Sequence, residues 1–103
     1  MIENLFEKLN GALSENTLRA YCSDYTHFAN WCHEHHLDPL NHEPSAIMNF
    51  NDMSSKSAVA TVVRRLASLS SIFKYLCLTD TTKDVDVCLA LKTLKMSYQA
   101  LLL

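Results

Sequence analysis

Residues 59–76 read VATVVRRLASLSSIFKYL. Val59, Val62, Val63, Leu66, Leu69, Phe73 and Leu76 recur at steps of three and four, the spacing that stacks side chains on one face of an α-helix. A strand would alternate with period two, and this stretch does not. At 3.6 residues per turn the stripe persists for about five turns. The helix is expected to run from about Lys56 to Leu76 and to lie at the centre of the fold, because its apolar face is wide enough to touch several neighbours. The opposite face carries Ser57, Thr61, Arg64, Arg65, Ser68 and Ser71, a mixture of short hydroxyls and long cations.

The same period recurs outward from this helix. Ile2, Leu5, Phe6 and Leu9 mark a short first helix that Asn10-Gly11 ends. Ser14 suits the N-cap of a second helix, with Glu15 in its first turn. The stripe of that helix is Leu18, Tyr21, Cys22, Tyr25, Phe28 and Cys32, flanked by Trp31. It is expected to end near His36, because Asp38-Pro39 disfavours continuation. Pro44 and Ser45 open a short third helix with Ile47 and Phe50, and Ser54 and Ser55 separate it from the long one. Beyond a polar loop from Thr79 to Lys83, Val87, Cys88, Leu91, Leu94 and Tyr98 mark a last helix. One glycine and two prolines in 103 residues leave too few turn-formers for a many-stranded β fold. The expectation is an all-α bundle of four to five helices in one domain.

Composition excludes several functions. A single glycine, Gly11, rules out both a GxGxxG loop and a P-loop, which need several residues without Cβ beside phosphate. Apolar residues make up 49% of the chain, too many for a disordered tail. Uninterrupted apolar runs are only a few residues long, far short of the roughly 20 that span a membrane. No secretory signal is visible. Cys22, Cys32, Cys77 and Cys88 lack CxxC spacing and read as reduced and mostly buried thiols.

The formal charge is −2, but it is unevenly spread. Residues 1–52 carry a net −6 and residues 53–103 a net +4, with four bases and no acid from Met53 to Thr79. Such asymmetry hints at a side that faces a polyanion, although a solvated helix face gives the same count.

Two groups of residues suit phosphate. On the long helix, Ser57, Thr61 and Ser68 supply hydroxyls at close range, while Arg64 and Arg65 can fork onto two oxygens. The Ser54-Ser55-Lys56-Ser57 turn adds backbone N–H groups at a helix start beside the Lys56 ammonium. Ser14, Asn16, Thr17 and Arg19 form a second helix start, which a plain N-cap explains equally well. Cys32, His33, His35, His36 and His42 raise the question of a metal, with Cys32 and His36 one turn apart; yet zinc needs three or four converging ligands, and Cys32 lies on the apolar stripe. No serine is flanked by nucleophile-elbow glycines, and no catalytic pairing follows from the spacings. No cofactor is called for.

The order of these residues is familiar. Ser14-Glu15-Asn16-Thr17-Leu18-Arg19-Ala20-Tyr21, then Asp24, Phe28 and Trp31-Cys32, resembles the opening of the core-binding domain of tyrosine recombinases, the phage-integrase family. Ser57 with Thr61-Val62-Val63-Arg64-Arg65-Leu66-Ala67-Ser68-Leu69 resembles the "S-x-x-T-x-x-R-x-L-S-x-I" helix of that family. Val87 and Ala90-Leu91-Lys92-Thr93-Leu94-Lys95 is similar to the helix that closes the domain, and Gln99-Ala100 with the following leucines to the linker into a catalytic domain.

The resemblance implies a SAM-like bundle with a short N-terminal helix (1–11), a core-binding domain (12–97) and the start of a linker (98–103). It implies a module that clamps one face of double-stranded DNA at a recombination half-site. Its DNA-facing residues would be Ser14, Asn16, Thr17, Arg19, Lys56, Ser57, Thr61, Arg64, Arg65 and Ser68, with Lys92 and Lys95 adding contacts. The family's catalytic Arg, Lys, His-x-x-Arg and Tyr set has no match here, so DNA cleavage would belong to another domain of a bacterial or phage cytoplasmic parent. That parent would assemble as a tetramer on DNA, with this part monomeric alone. Two other readings remain open: a helical protein–protein adaptor without DNA affinity, and a small metal-binding helical protein.

Overall fold

The computed structural model describes residues 2–53 and 59–102. Among these are five α-helices: α1 (Ile2–Leu9), α2 (Glu15–Glu34), α3 (Pro44–Met53), α4 (Val59–Tyr75) and α5 (Val85–Leu102), with a 3-10 turn at Thr81–Lys83 before α5. The all-α expectation stands. Lys56 and Ser57, and with them the expected start of the long helix, lie outside the described residues. Helix α5 continues through residues 98–102, the segment expected to begin a linker.

Helix α4 is the centre, as its stripe requires. Val62, Leu66, Leu69, Ile72 and Phe73 are buried, and α4 packs on α2, α5 and the 3-10 turn. Phe28 of α2 joins the layers. It has no exposed surface, and its ring meets Phe50 of α3 edge-on at 5.2 Å, Phe73 of α4 at 6.5 Å and the His42 imidazole at 5.1 Å. Such edge-to-face geometry sets the positive rim of one ring against the negative face of another. Helix α1 leans on the same core through Ile2, Leu5 and Phe6, with Phe6 edge-on to Tyr25 at 6.3 Å.

Two helices end without the glycine that their geometry favours. After α2, the Leu37 N–H donates to the Cys32 carbonyl (2.8 Å) and the His36 N–H to that of His33 (3.2 Å). After α4, the Leu78 N–H donates to Phe73 (2.9 Å) and the Cys77 N–H to Lys74 (3.0 Å). Both are Schellman endings, which place one residue in the left-handed region. Here these are His36 at φ 58° and Cys77 at φ 57°. Burial of Leu78 against the core holds the second ending in place.

The 3-10 turn is tied to its surroundings by polar contacts. Asp80 caps it, accepting from the Thr82 N–H (3.1 Å) and hydroxyl with Oδ1 and from the buried Ser70 hydroxyl of α4 (2.6 Å) with Oδ2. Thr81 Oγ1 is hydrogen-bonded to His42 Nε2 at 2.8 Å, which fastens the loop before α3. Burial pushes the Asp80 carboxyl up, but the Ser70 and Thr82 hydrogen bonds and the Lys83 charge outweigh it and hold the group below its ordinary value.

Two outcomes are expected. Cys77→Gly relieves the left-handed strain at an exposed site and should raise stability by about 1 kcal/mol in urea unfolding; a decrease would show that the thiol contributes packing there. The Asp80 contribution is complete above the unfolded carboxylate value of about 3.9 and disappears as pH falls through the lower folded-state value. Melting curves from pH 5 downward should therefore fall less steeply for Asp80→Asn than for the wild type, and parallel curves would remove Asp80 from the acid response.

Candidate nucleic-acid interface

The site begins with a carboxylate. Asp24 lies on α2 next to the apolar stripe, and only 3% of it is exposed. A carboxylate removed from water must be paired or hydrogen-bonded. One oxygen, Oδ2, accepts from Arg64 Nη1 at 2.8 Å and from the Ser68 hydroxyl at 2.7 Å. Arg64 and Ser68 are one turn apart on α4, so a single oxygen of α2 holds two residues of α4. The Arg64 side chain remains 51% exposed and therefore lies at the surface with its position fixed from below.

Ser68 is a correction. The expectation put it on the outer face of the long helix with the arginines. It is 3% exposed, and its hydroxyl is committed to Asp24. The physical reason is that α2 covers this flank of α4, so residues opposite the apolar stripe are not all in solvent. Thr61 and Arg65 are half-buried on α4, and Arg64 is exposed. Lys56 and Ser57 lie outside the described residues.

At the start of α2, Ser14 is the N-cap. Its Oγ accepts from the Thr17 N–H at 3.2 Å and donates to Thr17 Oγ1 at 2.7 Å. Asn16 is exposed beside it. Arg19 Nη2 donates to Glu15 Oε1 at 2.9 Å, an exposed pair one turn apart that contributes little to stability. Lys92 and Lys95 are exposed on α5, which packs mainly against α3, α4 and the 3-10 turn, so they stand on a different element from the α2–α4 pair.

The outer face of α2 carries a shallow groove of 460 Å³ that the sequence alone did not suggest, lined by Arg19, Cys22, Ser23, Thr26, His27 and Asn30. A guanidinium, two hydroxyls, an imidazole and an amide there give donors and acceptors of the kinds that meet phosphates and base edges. Arg19, Ser23, Thr26 and Asn30 recur at helical spacing opposite Phe28, a signal present in the sequence but carrying a single cation. Asp24 ties Arg64 to the flank of this same helix.

Cys32 and His36 do not converge. Cys32 is fully buried in the core, its thiol pushed up to about 11 by burial and by the Asp38 charge, while His36 is exposed beyond the helix end. Among the described residues no group of three His, Cys, Asp or Glu stands close enough to hold a metal ion. Among them, too, no helix is long and apolar enough to cross a membrane.

Comparison with known proteins agrees with this architecture. The profile of the N-terminal SAM-like domain of phage integrase matches residues 2–79, from α1 through the end of α4. An integrase/recombinase XerD homolog from Selenomonas ruminantium is 34% identical over 64 residues, which cover 61% of this chain and 19% of that relative. The match thus spans about a fifth of the relative's length. With most of its residues matched and its helices in place, the chain belongs to the N-terminal SAM-like domain family of phage integrases.

Proposed function

We propose that this chain is the DNA-binding half of a site-specific tyrosine recombinase and clamps the recombination-site duplex through α2 and α4. The observation that carries this reading is Arg64, held at the surface by a buried carboxylate, beside a helix whose outer face is lined by hydrogen-bonding side chains. Thr61 and Arg65 extend the surface along α4, where no acid occurs from Val59 to Tyr75. Ser14, Asn16, Thr17 and Arg19 extend it to the start of α2, and Lys56 and Ser57, which precede α4 in the chain, are assigned the same role. Lys92 and Lys95 would reach phosphates at the margin.

Residues 12–97 form the binding unit in this reading, α1 braces it, and 98–103 lead toward a catalytic domain. Strand breakage and rejoining would be the work of that domain in a cytoplasmic parent of bacterial or phage origin. The parent would assemble as a tetramer on DNA, with this chain monomeric without it. Few cations face the duplex, and two of them are paired, Arg64 with Asp24 and Arg19 with Glu15, so binding should be modest, about micromolar, and sensitive to salt.

Fluorescence anisotropy with a labelled duplex at two salt concentrations tests the assignment. Arg64→Ala and Arg65→Ala should each weaken binding and lower the log–log salt slope by about 0.9 for each phosphate that is no longer neutralised. Lys8→Ala on α1 should change neither. The comparison belongs well below the melting temperature of each variant, because Arg64→Ala also strips Asp24 of its counter-charge. Absent binding at low salt, or a double arginine variant that binds as the wild type does, would favour the adaptor reading.

A further inference from the structure

The geometry points to Asp24 as a positioning residue that fixes Arg64 for recognition of DNA sequence, an inference that rests on the duplex-binding reading above. Asp24 cannot itself touch DNA, since it is 3% exposed. Its effect must pass through the guanidinium that it holds.

An unrestrained surface arginine samples many rotamers and gives up that freedom when it binds. Arg64 has given up much of it on folding. Nη1 is fixed at 2.8 Å from Asp24 Oδ2, and the Ser68 hydroxyl at 2.7 Å fixes the same oxygen from within α4. Tyr25 and Phe28, both buried, hold the helix segment that carries Asp24. The guanidinium is therefore anchored at one nitrogen, and its exposed half samples fewer orientations than a free arginine would, as reading base edges favours.

The choice of a carboxylate supports this role. A buried ion pair is weak support for stability, because apolar residues of similar volume often serve as well. It also cancels charge where a polyanion would be bound, which lowers general affinity for DNA. A negative group under the exposed arginine thus works against non-specific attraction and in favour of a fixed geometry.

These two effects separate in Asp24→Asn. The amide keeps the shape and an acceptor oxygen but removes the charge that holds Arg64. Duplexes selected from a randomised library by the wild-type chain give a preferred sequence, and a scrambled duplex of equal length gives the reference. Both are measured by anisotropy at a temperature where each variant is folded by circular dichroism. The ratio of the two affinities should fall by about tenfold in Asp24→Asn, the size expected when one base-reading side chain is misplaced. Affinity for the scrambled duplex at low salt should hold or rise.

Ser68→Ala removes one of the two bonds to Oδ2 without touching the surface. It should lower the ratio to a smaller degree, and it carries the test if Asp24→Asn does not fold. A ratio that stays unchanged, or two affinities that fall together as simple destabilisation requires, overturns the proposal. A wild type that binds DNA but selects no sequence also overturns it and leaves duplex binding intact. A wild type that binds no duplex overturns both.

Discussion

A carboxylate buried between two helices is the constraint on which this molecule turns. Asp24 has almost no access to water, so its carboxylate must find its partners inside the protein. Arg64 and Ser68 meet that need on one oxygen. To do so, α4 must lie against α2 with Arg64 and Ser68 level with Asp24, which fixes the register of the two helices. The apolar contacts alone leave more latitude, because packed rings and aliphatic chains carry no direction of comparable strictness. The burial of Ser68 and the surface position of Arg64 both follow from this one interaction.

The rest of the bundle holds that arrangement from the far side. Phe28, on the same helix as Asp24, sits against Phe50, Phe73 and His42, so the ring cluster and the ion pair brace neighbouring turns of α2. Asp80 does for the 3-10 turn what Asp24 does for α2, bonding Ser70 on the inner side of α4. Ser68 and Ser70 of α4 thus serve inside the bundle, each bonded to a carboxylate from another element. Rigid helices rather than loops carry the exposed donors, which suits a surface that must match the fixed spacing of a duplex.

Much of this was legible in the sequence. The stripe from Val62 to Phe73 located the central helix, Ser14 marked the start of α2, and the order of Asn16, Thr17, Asp24, Arg64 and Leu66 pointed to the family. What was hidden depended on neighbours. A helical wheel of α4 alone puts Ser68 opposite the apolar face, and only the presence of α2 turns that flank inward. Asp24 read as one position of a motif, since nothing in the chain order tells which base it will meet 40 residues later. His36 and Cys77 gave no warning of left-handed backbone, because the usual signal there is glycine. The α2 groove has Arg19 as its one full charge among hydroxyls, an amide and an imidazole, so no cluster of bases marks it in the sequence.

The central claim is that the joined surfaces of α2 and α4 receive DNA. Titration of a duplex into the isotope-labelled chain, followed by nuclear magnetic resonance, probes every residue at once. The account predicts that shifts cluster on Ser23, Thr26, His27 and Asn30 of α2, on Thr61 and Arg65 of α4, and on the Arg64 guanidinium. On the far side of α4 from that surface, a cleft of about 720 Å³ is lined by His42, Pro44, Phe73, Leu78, Asp80 and Asp84, and its signals should remain still. Shifts centred on that cleft or on the exposed Val85 and Leu89 of α5, with α2 and Arg64 unmoved, would contradict it.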